Sequence, residues 1–313
     1  MPMTDVAVVG SANADLVVEV PRRPGGGETL IGGELRTLPG GKGANQAAAA
    51  ARSGAATAFV GCVGDDGNGA FLRARLADAG ADVSALASVD AATGTAIILL
   101  TPDGENSIVV SPGANHAFDL DAAARVSNVW EGAPVVVLSL EIPHETAFHV
   151  AAAASAAGSR VLLNAAPSVR VGREVLQHCD PLVVNEHEAL EVLGASSDDP
   201  DADDYARLAQ RLLAAGARSV VVTLGSEGAL VAEGAAEAPE IETVPAYRVT
   251  AVDTTGAGDA FVGATAAELA RGRSLGEAVR FATAVSAVAV QRVGAQSSYA
   301  DRAEVEDFIA ARA

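Results

Sequence analysis

The chain has 313 residues, 50% of them hydrophobic but only 4% aromatic, and a formal net charge of −19. That length supports a large core built mostly of Ala, Val and Leu. The acidic excess repels a nucleic-acid backbone, and no apolar run reaches membrane-spanning length without a Gly or charged interruption, so neither nucleic acid nor membrane is an expected partner. The opening MPMTDVAVVG lacks the basic start and apolar core of a signal peptide, and Cys62 and Cys179 show no metal or redox spacing. The expectation is a cytoplasmic protein.

Asp5 to Gly10 reads as a buried strand, with Ser11-Ala12-Asn13-Ala14-Asp15 at its C-terminal end, where open parallel sheets gather ligands. Asn13 and Asp15 offer a donor and acceptor pair suited to adjacent hydroxyls; an ordinary Asx-turn has the same pattern. Val17 to Leu38 alternates loosely around Pro21, Pro24 and Gly25-Gly26-Gly27, predicting short strands that leave the main sheet. Gly40-Gly41-Lys42-Gly43-Ala44-Asn45-Gln46 then opens an alanine helix that runs to Arg52. It is not a Walker A loop, because no glycine followed by Lys-Ser or Lys-Thr completes one. Its glycines let backbone approach a polar ligand and Asn45 can bond a hydroxyl; close helix packing through small residues is the other reading. Thr57 to Val63 predicts a strand, Gly64-Asp65-Asp66-Gly67 a capping turn, and Phe71 to Leu76 an amphipathic helix. Gly94 to Thr101 and Asn106 to Val110 predict a hairpin around Pro102-Asp103-Gly104-Glu105, which with the early short strands makes a separate small sheet.

From Pro134 onward strands alternate with helices, which implies a parallel sheet covered on both faces. The predicted strands are Val135 to Leu140, Arg160 to Leu163, Leu182 to Val184 and Ser219 to Leu224. The predicted helices are Pro143 to Ala157, Val171 to Gln177, Glu186 to Leu193 and Asp204 to Ala215. Polar groups follow these strands: Glu141, Asn164, Asn185, and Thr223-Leu224-Gly225-Ser226-Glu227-Gly228. Sharing one end of the sheet, they converge on one crevice. The acidic run Ser196 to Asp204 reads as a solvated loop that caps the next helix. Asn185-Glu186-His187-Glu188 is no zinc motif, because position 191 is Glu, and no histidine has ligand spacing.

Near the C-terminus an extended run, Tyr247 to Val252, leads into Asp253-Thr254-Thr255-Gly256-Ala257-Gly258-Asp259, and an apolar helix follows. The first N–H groups of such a helix are unpartnered and partly positive, so the glycine turn can hold an anion. Asp259 would then be a base beside an anion hole, which phosphoryl transfer to a hydroxyl requires; equally, it would be an Asp capping a helix.

The segments Gly40 to Ala47 and Asp253 to Phe261, with Asn185 and Glu188 between them, resemble the two signatures and the Asn-x-x-Glu motif of the ribokinase-like, or PfkB-type, carbohydrate kinases. Within that family, Asn13-Ala14-Asp15, the string GGKGANQA, Ser111-Pro112-Gly113-Ala114-Asn115 and Gly294 to Ser298 are most similar to the members that phosphorylate D-ribose. The resemblance covers almost the whole chain. It implies a single three-layer α/β/α domain over residues 1–313, with a discontinuous β lid formed by roughly residues 17–38 and 94–110. It also implies ATP-dependent phosphorylation of the D-ribose 5-hydroxyl, and a homodimer formed through the lids. The glycines before Glu28-Thr29 depart from the family's shorter turn and alter the lid loop.

The resemblance further implies a role for each matching position. Asn13, Ala14, Asp15, Gly41, Lys42, Gly43, Asn45 and Glu141 would hold the sugar. Asn185, Thr223 to Gly228, Gly258 and Thr283 would line the ATP site. Gly256, Ala257 and Gly258 would form the anion hole, with Asp259 as base. Glu188 would organise Mg²⁺ through water, and a potassium ion would sit among Asp253, Thr255, Ala289, Arg292, Gly294 and Ser298. An Asp253–Arg292 contact without any ion is the alternative for the last group. Another sugar or nucleoside kinase, acting on deoxyribose, fructose or pseudouridine, is the rival within the class. A non-catalytic sugar-binding regulator is the rival outside it, and it would have no need of a base at Asp259.

Overall fold

The computed structural model describes residues 4–102 and 106–312. The strands are β1 (Val6–Val9), β2 (Asn13–Glu19), β3 (Arg36–Gly40), β4 (Thr57–Gly64), β5 (Leu86–Val89), β6 (Gly94–Leu100), β7 (Asn106–Ser111), β8 (Val135–Ser139), β9 (Arg160–Asn164), β10 (Cys179–Asn185), β11 (Ser219–Thr223), β12 (Gly228–Glu233) and β13 (Glu240–Pro245). The helices are α1 (Lys42–Arg52), α2 (Gly67–Asp78), α3 (Leu120–Arg125), α4 (Ser127–Trp130), α5 (His144–Ala156), α6 (Arg173–Leu176), α7 (Glu186–Leu193), α8 (Tyr205–Ala215), α9 (Ala257–Ala270), α10 (Leu275–Ala289) and α11 (Arg302–Ala310).

Nine strands make the main sheet in the order β13-β12-β11-β10-β9-β8-β1-β4-β5. All its pairings are parallel except those of β12, which runs against β11 and β13. Alternation along the strands feeds two cores. Val6, Val8, Val135 and Val137 point to the side covered by α1, α2, α9 and α10. Ala7, Val9, Val136 and Leu138 point to the side covered by α5, α7 and α8. This is the three-layer α/β/α arrangement expected from the sequence, and no helix of the described residues is long and apolar enough to cross a membrane.

A second sheet has the order β3-β2-β6-β7, with β2 and β6 parallel and the outer pairs antiparallel. It begins at Asn13, so Asn13 and Asp15 lie on its first strand rather than in a turn after β1. The β6–β7 hairpin is present, but Asp103, Gly104 and Glu105 of its expected turn lie outside the described residues. The run from Tyr247 to Val252 is not a strand. The last sheet pairing ends at Pro245, and the chain then leaves the sheet edge to cross to α9 without a ladder partner.

Helices α1 and α9 pack closely through their alanines and Gly263. A Cβ built on Gly263 would stand 2.3 Å from the Gln46 carbonyl oxygen and 2.7 Å from Ala49 Cβ. Gly263→Ala is therefore expected to destabilise the fold by about 1–3 kcal/mol, the usual range for overpacking. Equilibrium denaturation would read this, and an unchanged midpoint would show that the two helices separate freely.

Candidate active site

Strand β1 lies between β4 and β8, so the chain moves to one side of it first and to the other side later. Crevices in open sheets form at such a reversal, outside the carboxyl ends of the strands. Here Ser11 Oγ donates to Glu141 Oε2 at 2.6 Å, and the Lys42 N–H donates to the same oxygen at 3.0 Å. The ends of β1 and β8 and the start of α1 are thus tied together.

Asp259 lies in the first turn of α9 and is 8% exposed. Its Oδ2 accepts from Asn45 Nδ2 at 2.9 Å and its Oδ1 from Gln46 Nε2 at 3.0 Å. Gln46 Nε2 also donates to Asn164 Oδ1 at 3.0 Å, and Gln296 Nε2 donates to Asn45 Oδ1 at 3.1 Å. Burial pushes the Asp259 carboxyl up, Lys42 and the two amides pull it down, and Glu141 adds to the rise. Asp15 is pushed up to about 7, by burial first, then by Glu141 and Asp259. The crevice therefore gathers three carboxylates, Asp15, Glu141 and Asp259, with the Lys42 charge acting on Asp259.

Gly256 caps α9 with φ of +72°, a conformation that other residues adopt rarely. A Cβ there would also stand 2.6 Å from Tyr299 Oη, whose hydroxyl donates to the Gly256 carbonyl at 2.9 Å. The Ala257 N–H donates to Thr254 O at 3.2 Å, whereas the N–H groups of Gly258 and Asp259 have no acceptor among the described residues. No atom lies within 4 Å of a Cβ built on Gly258, so one side of this turn is open. Free donors beside a buried carboxylate can hold an anion while a proton moves.

That open side faces a cavity of about 680 Å³. Thr223, Gly225, Ser226, Gly228, Gly258 and Thr283 of the expected nucleotide set line it. Asn185, Leu224 and Glu227 do not, although Asn185 is the register partner of Thr223 on the neighbouring strand. The segment after β13, irregular where the sequence predicts an extended strand, contributes Tyr247, Arg248 and Val249. A second cavity, of about 480 Å³, is bordered by Asn13, Asn115, Glu141 and His144.

Asn185 and Glu188 form a capping box: the Asn185 N–H donates to Glu188 Oε2 and the Glu188 N–H to Asn185 Oδ1, each at 2.8 Å. Burial pushes the Glu188 carboxyl up, against the pull of the Asn185 N–H and Lys42. Among the described residues no cluster of three His, Cys, Asp or Glu could hold a metal by itself. Asp253 accepts from the Thr255 N–H at 2.9 Å and the Gly294 N–H at 2.8 Å. Burial works upward on its carboxyl, but these bonds outweigh it and hold the value low. Arg292 pairs with Glu304, so the Asp253–Arg292 contact is not what joins the two segments. Ser298 Oγ donates to Ala295 O at 2.7 Å, leaving its own lone pairs.

Gln46, Gln296 and Tyr299 join this network without a role in the sequence-based expectations, and Asn164 takes the crevice position expected of it at the end of β9. Gln46 carried a usable signal as a polar residue inside an otherwise alanine helix face, and it is fully buried. Gln296 lies in the matching stretch Gly294 to Ser298 and Tyr299 just beyond it, but only the tertiary fold brings them to α1 and α9.

The family model of the pfkB family carbohydrate kinases matches residues 3–302. The chain is 36% identical over 312 residues to a ribokinase of Schizosaccharomyces pombe, covering 97% of each. It is 34% identical over 308 residues to a deoxyribokinase of Salmonella typhi, covering 97% of this chain and 98% of that one. The solved structure of Arabidopsis thaliana ribokinase complexed with ribose and ATP superposes with a TM-score of 0.86 at 35% identity, covering 98% of this chain and 99% of that one. The chain belongs to the pfkB family of carbohydrate kinases.

Stability should report the crowding of carboxylates. Because the folded state keeps a proton on Asp15 between the ordinary value of 3.8 and about 7, stability falls as pH rises through that window. Asp15→Asn removes the penalty, so its gain in melting temperature should be larger at pH 8 than at pH 5. Equal gains at both would place the Asp15 carboxyl in its ordinary range.

Proposed function

We propose that this kinase transfers the γ-phosphoryl group of ATP to the 5-hydroxyl of D-ribose. The observation that carries the reading is the buried Asp259 carboxylate, held by two amides beside the unpartnered N–H groups of Gly258 and Asp259. Asp259 takes the hydroxyl proton, the sugar oxygen bonds to the γ-phosphorus, and the bond from that phosphorus to the β–γ bridging oxygen breaks to release ADP. Gly256, Ala257 and Gly258 shape the turn that receives the charge on the moving group. Asn13, Ala14, Asp15, Gly41, Lys42, Gly43, Asn45 and Glu141 surround the sugar, and the 680 Å³ cavity takes the nucleotide. The identities and the ribose-bound neighbour support the substrate.

Glu188 fits a role in holding Mg²⁺ through water, since one carboxylate oxygen is already used in the capping box. Mg²⁺, when bound, would offset charge on the phosphates. Ile97 and Val109 are register partners on β6 and β7 and expose one apolar face of the small sheet, which supports a second copy of the chain as partner there.

An ATP-consumption assay over ribose, 2-deoxyribose, fructose and pseudouridine should give ribose the largest kcat/KM, and Asp259→Asn should lower kcat by about two to four orders of magnitude. Another substrate ranking well above ribose would replace the substrate assignment. Near-normal turnover in the variant would make Asp259 a cap and not the base.

For potassium, the carboxylate of Asp253 and the carbonyls of Thr255, Ala289, Arg292, Gly294 and Ser298 are the proposed ligands. A weakly hydrated cation among neutral carbonyls would steady the Gly256 turn from the side away from the phosphates. Activity should rise on adding K⁺ at constant ionic strength and constant Mg²⁺, with Na⁺ a poor substitute. Full activity with only a bulky organic cation would mean that the ion has no part in the reaction.

A further inference from the structure

We infer that Asn115 is a positioning residue that fixes which face of the Asn13 amide the sugar meets, and so makes Asn13 a hydrogen-bond donor to the sugar. The inference rests on the reading of Asn13 as a sugar contact.

The amide orientation is settled by a backbone group. The Ala12 N–H can only donate, and it meets Asn115 at 2.9 Å, so the atom there is Oδ1. The other end of the Asn115 amide is then Nδ2, which can only donate, and it meets Asn13 at 2.7 Å. That fixes Asn13 Oδ1 toward Asn115 and leaves Asn13 Nδ2 with no protein acceptor among the described residues. Both side chains are nearly fully buried, at 1% and 3% exposure, so an amide flip would strand buried donors against each other. Both border the 480 Å³ cavity.

The pair sits where the small sheet joins the main one. Asn13 begins β2, Gly94 begins β6, and Asn115 follows the return from β7. Gly94 closes the third side: a Cβ there would stand 2.3 Å from both Asn115 Nδ2 and Asn13 Oδ1. Asn13 and Asp15 are two apart on one strand and face the same way. A hydroxyl between them would accept from Asn13 Nδ2 and donate to the Asp15 carboxylate. The amide pair thereby sets the polarity with which the site reads that hydroxyl.

Asn115→Asp tests this with little change of shape. Its Oδ1 still accepts from Ala12, but an oxygen replaces Nδ2 and draws Asn13 Nδ2 toward itself, turning Asn13 Oδ1 to the sugar. Sugar KM is expected to rise about tenfold, the scale of one buried hydrogen bond, with ATP KM and saturated kcat within about threefold of the parent. In an Asn13→Ala background the same change should add no further loss. Gly94→Ala, which pushes the pair apart from its other side, should give the same sugar-only loss with a cooperative melt. If the parent chain phosphorylates none of the sugars, the functional reading fails and this inference with it. If the parent is active but the losses at positions 13 and 115 simply add, or if ATP KM rises as much as sugar KM, the functional reading stands and this inference is overturned.

Discussion

Desolvation of Asp259 works against its ionised form, and two amides from α1 oppose that by donating to both carboxylate oxygens. Those bonds require the first turns of α1 and α9 to touch. Contact at that distance requires small residues along both helices, which is why α1 is an alanine run and α9 carries Gly263 opposite the Gln46 carbonyl. The N-terminal dipoles of both helices then point at one carboxylate, where positive potential is most useful. The chemical group and the packing pattern of the alanine-rich layer thus have one cause.

The same economy of contact governs the junction between the sheets. The small sheet is connected through β2, β3, β6 and β7, and the residues at those crossings are the polar ones of the crevice: Asn13, Lys42 and Asn115. Groups that touch the proposed sugar are therefore held by elements of both sheets. Motion of the small sheet would move Asn13 and Asp15 but leave Glu141 and Asp259 in place, since the latter two belong to the main sheet and its helices.

Much of the main fold was legible because it is local. Strands β8 to β11 and helices α5, α7 and α8 are marked by alternating apolar runs and by caps such as Asp204, whose side chain accepts from the Arg207 N–H. Both glycine turns were legible because glycine and a following small-residue helix sit within a few positions of each other. The segment from Tyr247 to Val252 was misread because its composition suits a strand while its place at the end of a sheet ladder denies it partners. The helix around Val171 is a single turn from Arg173 to Leu176, which begins at the extended Gly172 rather than at Val171. The amide links through Gln46, Asn115 and Gln296 join residues more than a hundred positions apart, and no local pattern encodes such pairings.

The charge distribution assigns opposite chemistries to the two proposed substrates. A net charge of −19 is a poor background for a nucleotide, and Arg248 is the one charged side chain among the described residues lining the larger cavity. Phosphate oxygens only accept hydrogen bonds, so the neutral N–H groups of a helix start can hold them without a cluster of cations. A sugar carries hydroxyls that must also donate, and carboxylates only accept, so Asp15, Glu141 and Asp259 suit a neutral polyol. Concentrating the carboxylates on the sugar side has a consequence for the base. Burial and the negative charge of Glu141 push both the Asp15 and the Asp259 carboxyls up, and Lys42 works against the rise at Asp259. A raised carboxyl is a stronger proton acceptor than an exposed one, and so the site that recognises a neutral ligand by charge also sharpens the group that deprotonates it.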